Sequence, residues 1–368
     1  MNIVFVANLP SPYRVDFFNE LGKHCNLTVI YELEREIGRD AKWIAGETRN
    51  FNEIHLNAHP FWHPNTSLSV GIISVLSKLV FDMVIFGVPS SLTELIGIEY
   101  LIHKKIPYVI SEDGGFVPKK RKPIVYELRH RAYSNAAACI TTSDEAERFL
   151  RYYGAGNPIY RFPFSSIHEE DIISDEERIR QHVECRNELK LSERKICLMV
   201  SQFIHRKGID VLLKSANLLT DEYGIYIIGG KATDEYLRYV KKSNLMNVHF
   251  VDFLVPNDLC KFYLAADCFV LPTRHDEWGL VVNEAMAKGL PVITTNMCLA
   301  GTEMIKNGEN GYVIPPDDEI MLAEKIKCIL GDEDLQKKMS ASSIATAKKY
   351  TIETMAEAHI EILNKIIS

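Results

Sequence analysis

The chain has 368 residues, of which 25% are charged and 46% are apolar, and its formal net charge is −7. A chain of this length is too long for one hydrophobic core, so the sequence predicts two domains of an ordinary soluble globular protein. The acidic balance disfavours nucleic acid as the main partner.

The cysteines and the N-terminal residues indicate the cellular compartment of the protein. Eight cysteines are scattered without a C-x-x-C pair or a histidine spacing that suits a metal, which is typical of small buried residues in a reducing environment. Residues 1–7 predict a strand and lack the basic region and cleavage site of a signal peptide. The most apolar stretch, residues 70–88, is interrupted by Lys78 and Asp82 and cannot span a bilayer. We therefore expect a cytoplasmic protein.

In the first half, short apolar runs alternate with segments of helical periodicity, which is typical of parallel strands joined by helices. The predicted strands are residues 3–7, 27–31, 83–86, 108–110 and 138–141, and the predicted helices are 14–23, 92–103 and 145–153. We assign residues 1–163 to an N-terminal Rossmann-like domain.

Two loops of this half carry charged side chains directly after predicted strands. Arg14 ends the segment ANLPSPYR, and Glu112 and Asp113 lie in SEDGGF. Because ligands bind at the carboxyl ends of parallel strands, Arg14 is a candidate contact to a phosphate or an acceptor. Glu112 and Asp113 are candidates to orient an acceptor hydroxyl, although helix capping or a solvated loop explains them equally well.

A basic segment follows the second loop. It consists of Lys119, Lys120, Arg121 and Lys122. Arg129 and Arg131 come soon after it, and Glu127 is the one opposing acid. The segment is either a solvated surface or a contact to an anionic membrane or a lipid-pyrophosphate acceptor, where each base contributes about 1 kcal/mol. We favour the second interpretation, which predicts peripheral attachment at the inner face of the membrane.

A polar segment, residues 164–193, is dense in Asp, Glu and Ser and is the predicted linker. Beyond it the alternation resumes, with predicted strands at 196–200, 225–228, 248–251, 268–271 and 291–294. Residues 164–350 are therefore predicted to form a second Rossmann-like domain, which includes the linker. The crevice between two such domains is the expected ligand site.

Two loops of the second half are candidates for phosphate and nucleotide contacts. Gln202, Arg206 and Lys207 precede a helix that begins at Gly208, and cations there would neutralise an anionic ligand. Gly229 leaves room for a ligand to approach the backbone, though a plain turn explains it equally well. No glycine pair completes G-x-G-x-x-G, which disfavours a dehydrogenase.

The most informative segment follows the fourth strand of this half. It places Asp276 in a loop and Glu284 on a helix, with seven residues between them. The amides of Gly279 and Leu280 lie at the helix N-terminus, where unpaired N–H groups and the helix dipole favour a diphosphate. Glu284 could accept from two ribose hydroxyls, and Glu277 competes with Asp276 as the acid that contacts a sugar. The alternative is an ordinary strand-loop-helix unit with solvated acids.

The last segment, residues 351–368, predicts an amphipathic helix with Thr351 as its N-cap. Its apolar face consists of Ile352, Met355, Ala356, His359, Leu363 and Ile366. This face needs a partner, either in the second domain or in the first.

Together these motifs resemble the retaining glycosyltransferases of family four, the group 1 glycosyl transferases. Their hallmark is a Glu, seven residues, a second Glu and then Ala-Met-Ala-x-Gly-x-Pro-Val-Ile. Here Asp276 stands at the first acid and Glu284 at the second. Lys207 matches the lysine of the family element Gly-Arg-Leu-x-x-x-Lys-Gly, whose arginine position holds Gln202. The resemblance covers nearly the whole chain and is strongest over residues 200–314.

The resemblance implies the GT-B fold, in which two doubly wound parallel-sheet domains face a cleft and the last helix crosses back to the first domain. It implies transfer of a sugar, with retention and without a metal, from a nucleotide diphosphate sugar such as a UDP-sugar to a glycan or lipid-linked acceptor, in cell-surface polysaccharide biosynthesis. No cofactor is implied, since the nucleotide sugar is a substrate.

The resemblance implies that the N-terminal domain, residues 1–163, binds the acceptor, and it also assigns roles to residues. Lys207 would stabilise the leaving diphosphate, Asp276 would position the sugar, and the main chain near Leu254 would read the base. Arg206 would compensate for Gln202. In the first half the family's Gly-Gly pair is absent from the loop before Arg14, and no histidine stands near Glu112.

Two other classes of function remain open. A sugar-nucleotide epimerase or a phosphorylase could use the same architecture. An epimerase would turn over the donor without an acceptor, and a phosphorylase would depend on a lysine-bound pyridoxal. A non-catalytic sugar-binding protein of the periplasmic type is disfavoured, because sugar binding alone requires neither the paired acids nor Lys207.

Overall fold

The computed structural model describes residues 1–34, 46, 48–56, 58–61, 63–87 and 89–368. These residues form two compact units. The first contains Met1–Ser166 and Thr351–Ser368, and the second contains Ile167–Tyr350. The first boundary therefore follows residue 166, whereas the sequence predicted a boundary after residue 163.

The first unit is built on a parallel sheet. Its elements are β1 (Asn2–Ala7), α1 (Pro12–Leu21), β2 (Asn26–Tyr31), β3 (Asn52–His55), β4 (His59–Phe61), β5 (His63–Leu68), α2 (Gly71–Leu76), β6 (Met83–Phe86), α3 (Leu92–Lys104), β7 (Tyr108–Glu112), α4 (Pro123–Asn135), β8 (Ala138–Thr141), α5 (Asp144–Tyr152) and β9 (Ile159–Arg161). The sheet order is β3-β2-β1-β6-β7-β8-β9. The central strands are buried on both faces, which is why their sequences are continuous apolar runs.

Several elements of the first unit were not predicted. β4 and β5 form an antiparallel hairpin whose register shifts between Pro60 and Phe61. β3 and β9 add the two edge strands, and their sequences, NEIH and IYR, are short and half polar. Such edge strands lack the apolar run by which central strands are recognised.

The second unit is a second doubly wound parallel sheet. Its elements are α6 (Asp175–Glu188), β10 (Lys195–Val200), α7 (Ile209–Ala216), β11 (Tyr223–Ile228), α8 (Asp234–Lys242), β12 (Val248–Val251), α9 (Pro256–Ala265), β13 (Cys268–Leu271), α10 (Leu280–Ala287), β14 (Val292–Thr295), α11 (Leu299–Met304), β15 (Gly311–Ile314), α12 (Glu319–Leu330) and α13 (Glu333–Ala347). The sheet order, β12-β11-β10-β13-β14-β15, reverses between β10 and β13. The loops after these two strands therefore flank the switch point at which parallel sheets bind ligands.

The predicted linker is largely helical. Ser174 caps α6 in a capping box with Glu177, so the acidic cluster that indicated a linker is the first turn of a helix. Arg178 is buried and donates to the carbonyls of Leu264 and Ala266 at 2.6 Å each. These bonds fasten α6 to the C-terminal end of α9, and α6 is an integral part of the second unit.

The C-terminal helix α14 (Ile352–Ile367) belongs to the first unit. The hydroxyl of Thr351 caps it by accepting from the Thr354 N–H at 3.1 Å. The predicted apolar face is buried from Ile352 to Leu363, and Ile366 is partly exposed. The helix packs on α1, and the His359 ring lies between Phe17 and Phe162, with centroids 4.7 and 4.4 Å away. The predicted return of the last helix to the first domain is confirmed.

The length and hydropathy of the helices decide whether any of them could span a membrane. Among the described residues, which omit position 88 at the end of the apolar stretch noted above, no helix is long and apolar enough to cross a membrane. Five cysteines are buried, in keeping with small apolar residues, and they are Cys139, Cys185, Cys197, Cys268 and Cys298.

Candidate active site

Two loops of the second unit meet at the carboxyl edge of its sheet. The carbonyl of Arg206, in the loop after β10, accepts from the Arg274 N–H at 2.8 Å and from the Thr273 hydroxyl at 3.0 Å. Gly208 has a φ of 73°, and a Cβ there would lie 1.9 Å from the Pro272 carbonyl oxygen. Only glycine permits this approach, so Gly208 fixes the loop that carries Lys207 against the loop after β13.

An ion pair lies where the loops meet. The Lys207 ammonium is 2.5 Å from the Asp276 carboxylate, and each side chain is 13% exposed. The Arg206 guanidinium lies 3.7 Å from the same carboxylate and donates to the His275 carbonyl at 2.5 Å. Two cations therefore share one acid, and partial burial reduces the screening of the surplus positive charge.

Arg274, which the sequence analysis did not single out, holds these loops in place. It donates to both carboxylate oxygens of Asp210 at 2.8 and 2.7 Å and to Asp317 at 2.7 Å. It also donates to the His205 carbonyl at 2.6 Å, at the start of the 3-10 turn that carries Lys207. The signal in the sequence was its position two residues before Asp276, on the same loop.

The ion pair lies beside the start of α10. Gly279 is the N-cap with a φ of 102°, and a Cβ there would be 3.8 Å from the Asp276 carboxyl carbon. Within the described residues no side chain caps this helix end. Trp278 donates from its indole to the Asn283 side chain at 2.8 Å, which closes the loop onto the helix. The first-turn amides, Leu280 among them, and the helix dipole are thus adjacent to Lys207.

Glu284, the second acid, has a different partner. Its carboxylate accepts from the Tyr263 hydroxyl of α9 at 2.8 Å. Burial raises the pKa of Glu284, the charge of Asp171 raises it further, and the Tyr263 bond and the Lys288 charge oppose the rise. Tyr263 was missed in the sequence, where it reads as one more apolar residue of a helix. A buried tyrosine nevertheless needs a partner for its hydroxyl.

The remaining residues that were predicted to bind the nucleotide sugar follow adjacent strands. Gln202 is exposed after β10, Gly229 follows β11, and Leu254 lies half-buried after β12. Gly229 has a φ of 133°, and a Cβ there would be 2.3 Å from the Ser201 carbonyl oxygen. Glu277 is exposed, whereas Asp276 is largely buried in its ion pair.

In the first unit, the structure brings Arg14 and Asp113 together as an ion pair. The Arg14 guanidinium lies 5.8 Å from the ring centroids of Phe5 and Tyr13 and 6.0 Å from that of Phe164. Burial raises the pKa of Asp113, and Arg14 opposes the rise. Among the described residues, Arg14 Nη1 and Asp113 Oδ1 have no hydrogen-bond partner. The pair therefore retains one donor and one acceptor.

The structure corrects the prediction for Glu112. Its side chain is 1% exposed and accepts from the Tyr133 hydroxyl of α4 at 2.7 Å. Glu112 ends β7 with its side chain on the face that α4 covers, whereas Asp113 lies one residue later in the loop. Asp113 is thus the candidate for an acceptor contact, and Glu112 is an interior group.

A further acidic cluster of the first unit was missed. Glu32 accepts from the Ser91 hydroxyl at 2.9 Å, and Glu94 accepts from the Ser91 N–H at 3.3 Å in the capping box of α3 and from the Ser90 N–H at 2.9 Å. Both acids are buried, and burial raises the pKa of Glu32 to about 7. The two residues are far apart in the sequence, so no local pattern indicated the cluster.

The basic segment is less uniform than predicted. Arg121 pairs with Glu127 at 3.0 Å and lies 3.5 Å from the Tyr126 ring centroid. Arg131 pairs with Glu99 of α3 at 2.6 Å, so Glu127 is not the one opposing acid. Three bases are exposed and form no ion pair among the described residues, and they are Lys119, Lys120 and Lys122. In the same described part of the chain no cluster of three His, Cys, Asp or Glu residues could hold a metal ion.

Comparison with solved structures identifies the fold. HepE of Anabaena, solved in complex with UDP, is similar with a TM-score of 0.80 at 16% identity, over 99% of this chain and 100% of that one. At this identity the likeness shows the fold alone. The predicted fold class is confirmed, since the chain has two doubly wound parallel sheets and the fold of the GT-B glycosyltransferases.

Sequence comparison finds similarity to a family over part of the chain. The model of the family "Glycosyl transferases group 1" matches residues 183–346. Spore coat protein SA of Bacillus subtilis (strain 168) is 30% identical over 200 residues, which are 50% of this chain and 53% of that protein. The N,N'-diacetylbacillosaminyl-diphospho-undecaprenol alpha-1,3-N-acetylgalactosaminyltransferase of Campylobacter jejuni is 24% identical over 179 residues, 49% and 47% of the two chains. The chain spans about half the length of these relatives. The predicted resemblance to the group 1 glycosyl transferases is confirmed, and the family-model match lies in the second unit.

Proposed function

We propose that the chain is a retaining glycosyltransferase that moves a hexose or N-acetylhexosamine from a nucleotide diphosphate sugar to a glycan or lipid-linked acceptor. One observation carries the proposal: Lys207 and Arg206 share the carboxylate of Asp276 beside the start of α10, an end that no side chain caps within the described residues. A diphosphate supplies the negative charge that this arrangement accommodates.

Each group near the ion pair has a role in this reaction. The Lys207 ammonium has three N–H groups, so it can keep its bond to Asp276 while donating to the diphosphate. Charge on the diphosphate grows as the bond to the sugar breaks, and Lys207 and the α10 amides stabilise it. Asp276 positions a sugar hydroxyl and is preferred over Glu277, which is exposed. Protein cations thus act where other transferases use a metal ion.

Glu284 would hold the ribose of the donor. The Tyr263 hydroxyl fixes one oxygen of its carboxylate, and a carboxylate can accept from further donors, such as vicinal hydroxyls. Gln202, Gly229 and the main chain at Leu254 follow adjacent strands and would contact the rest of the nucleotide. The close approach of Gly229 to Ser201 leaves no room there for a larger side chain.

The acceptor would bind at the first unit. Arg14 and Asp113 there keep one unused donor and one unused acceptor, which suits a hydroxyl-bearing ligand. The Campylobacter relative is named for a diphospho-undecaprenol substrate. By analogy we propose cell-surface polysaccharide assembly, with the exposed Lys119, Lys120 and Lys122 near an anionic membrane.

A donor panel tests the proposal. UDP-, GDP-, ADP- and dTDP-sugars are screened by thermal shift, and the donor that binds is incubated with lipid-linked and soluble glycan acceptors. We expect release of the nucleoside diphosphate together with a product whose anomeric configuration, read by NMR, is that of the donor. A chelator should leave the rate unchanged. Isomerised donor without acceptor would indicate an epimerase, and an inverted product or no binding of any donor would contradict the proposal.

A further inference from the structure

The first turns of α4 expose an apolar stripe. Ile124 is 78% exposed, Val125 41% and Leu128 42%, and their spacing places them on one side of the helix. Ala132 lies about two turns beyond Ile124 on the same side and is buried, so the exposed stripe is confined to the first turns of the helix. Exposed apolar residues also occur on α6, at Ile179 and Val183, but the α4 stripe adjoins an apolar groove and a basic segment.

An apolar groove adjoins the stripe. It lies between α3 and α4 and has a volume of about 370 Å³. Leu128 belongs to both the stripe and the groove, and Leu95 and Ile102 line the groove from α3. Its polar lining is the ion pair of Glu99 and Arg131, whose charges neutralise each other. The volume and lining suit an alkyl chain better than a polar ligand.

The charge next to the stripe indicates the occupant. Lys119, Lys120 and Lys122 directly precede α4 and are exposed, although the chain as a whole has a net charge of −7. An anionic bilayer presents phosphates to such bases and hydrocarbon to an adjacent apolar stripe. A symmetric contact between two copies would instead bring two basic segments together, which is unfavourable.

We propose that the stripe of Ile124, Val125 and Leu128, with the basic segment, docks the chain on an anionic lipid bilayer, and that the α3–α4 groove takes up an acyl chain. The proposal rests on the proposed function for its setting, because a lipid-linked acceptor is presented at a membrane. Docking itself requires no transfer chemistry, so the two can fail separately.

Vesicle binding tests the docking surface. The full chain is sedimented with phosphatidylcholine vesicles, with and without phosphatidylglycerol, at low and high salt. Ile124→Ser, Val125→Ser and Leu128→Ser combined should weaken binding roughly tenfold or more at both salt concentrations, because apolar burial is not screened. Ile179→Ser with Val183→Ser, which replaces exposed apolar residues of α6 in the second unit, is the matched control and should bind like the wild type.

The basic segment should respond differently. Lys119→Gln, Lys120→Gln and Lys122→Gln combined should weaken binding to the anionic vesicles roughly a hundredfold at low salt and far less at high salt. Lys214→Gln on α7 with Lys241→Gln and Lys242→Gln on α8 controls for the three lost charges. Equal binding of the wild type and the apolar variant, or equal binding to neutral and anionic vesicles, would overturn the proposal.

A reporter measures depth directly. Ile124→Trp should be quenched by brominated acyl chains, whereas Ile179→Trp on the second unit should not. Leu128→Glu should abolish the quenching of Ile124→Trp in the double variant, since it places a charge at the mouth of the groove. Absence of quenching at position 124 would contradict docking, and an oligomer that the apolar triple variant dissociates would assign the stripe to a second copy of the chain. Turnover of a short soluble acceptor should be unchanged in all these variants, which separates docking from the proposed chemistry.

Discussion

The carboxyl edges of the two sheets differ in charge, although the sheets share one topology. The second unit places Lys207 and Arg206 against the single acid Asp276. The first unit gathers the acids Glu32, Glu94, Glu112 and Asp113 near its edge, with Arg14 as the cation that pairs with Asp113. These charges fit the proposed ligands: the two cations that share Asp276 suit a diphosphate, and the Asp113 oxygen that has no hydrogen-bond partner among the described residues suits a hydroxyl donor.

The edges also differ in how their groups are held. In the second unit, Arg274 and Gly208 fix the cationic loop through carboxylates and backbone carbonyls, so the cation is in place before a ligand binds. In the first unit Glu32, Glu94 and Glu112 are held by hydroxyls and backbone amides inside the core. Preorganised charge is what transition-state stabilisation requires, and the second unit supplies it.

The largest expected effect is on turnover. Lys207→Ala should lower kcat roughly 10²- to 10³-fold, the loss typical of a removed donor to developing negative charge. The donor KM should change less, because the diphosphate gains charge toward the transition state. Lys214→Ala on α7 is a matched surface control. Steady-state rates near the wild-type value in Lys207→Ala would show that the loop is merely solvated.

Two buried acids, Glu32 in the first unit and Asp267 in the second, should change the pH dependence of the free energy of unfolding in opposite directions. Glu32 has its pKa raised to about 7 by burial, so its contribution is present below the unfolded value near 4.5 and is lost as pH rises through 7. Glu32→Gln should therefore gain up to about 3 kcal/mol relative to the wild type between pH 5 and pH 8. Urea unfolding at both pH values measures this gain.

Asp267 of the second unit should show the opposite behaviour. Burial opposes ionisation, but the His182 imidazole at 3.6 Å, a hydrogen bond from Gln336 and the charge of Lys195 lower the pKa of Asp267 to about 2. Its contribution is present above the unfolded value and is lost as pH falls toward 2, so Asp267→Asn should destabilise by about 2 kcal/mol or more at pH 7. If Glu32→Gln and Asp267→Asn changed the free energy of unfolding with the same pH dependence, the predicted contrast between the two units would be wrong.

Glu284→Ala should weaken donor and free nucleoside diphosphate alike, by roughly 1.5 to 3 kcal/mol for a lost charged hydrogen bond. Burial raises the pKa of Glu284, so this residue should gain its proton at a higher pH than an ordinary glutamate. As the pH is lowered, nucleoside diphosphate binding to the wild type should therefore begin to weaken at a higher pH than it would with an ordinary glutamate. Glu284→Gln should remove that pH dependence. Unchanged calorimetric affinity in Glu284→Ala would remove this residue from the site.

The smallest effect is expected at the first unit. Replacing Arg14 by Gln and Asp113 by Asn together keeps the interior neutral and should raise the acceptor KM roughly tenfold, as expected for one charge-assisted hydrogen bond. Nucleoside diphosphate affinity should not change. A parallel loss of diphosphate affinity in this variant would place phosphate binding at both edges.

The sequence predicted the second unit better than the first, for physical reasons. Asp276, Gly279 and Glu284 belong to one loop and helix, so their spacing alone indicates the site. The Glu32–Glu94 cluster joins residues distant in the chain. Glu112 and Asp113 are neighbours that point to different environments, and strand alternation decides which is buried. The acidic first turn of α6 imitated a linker because local charge density does not reveal a capping box unless the spacing is read.

The most direct test of the account is calorimetric titration of nucleoside diphosphates into the wild type, Lys207→Ala, Glu284→Ala and the Arg14→Gln, Asp113→Asn double variant. The account predicts that one diphosphate binds the wild type, that Lys207→Ala and Glu284→Ala each weaken it at least roughly tenfold, and that the first-unit variant binds it like the wild type. Loss of binding confined to the first-unit variant would contradict the assignment of the diphosphate to the second unit.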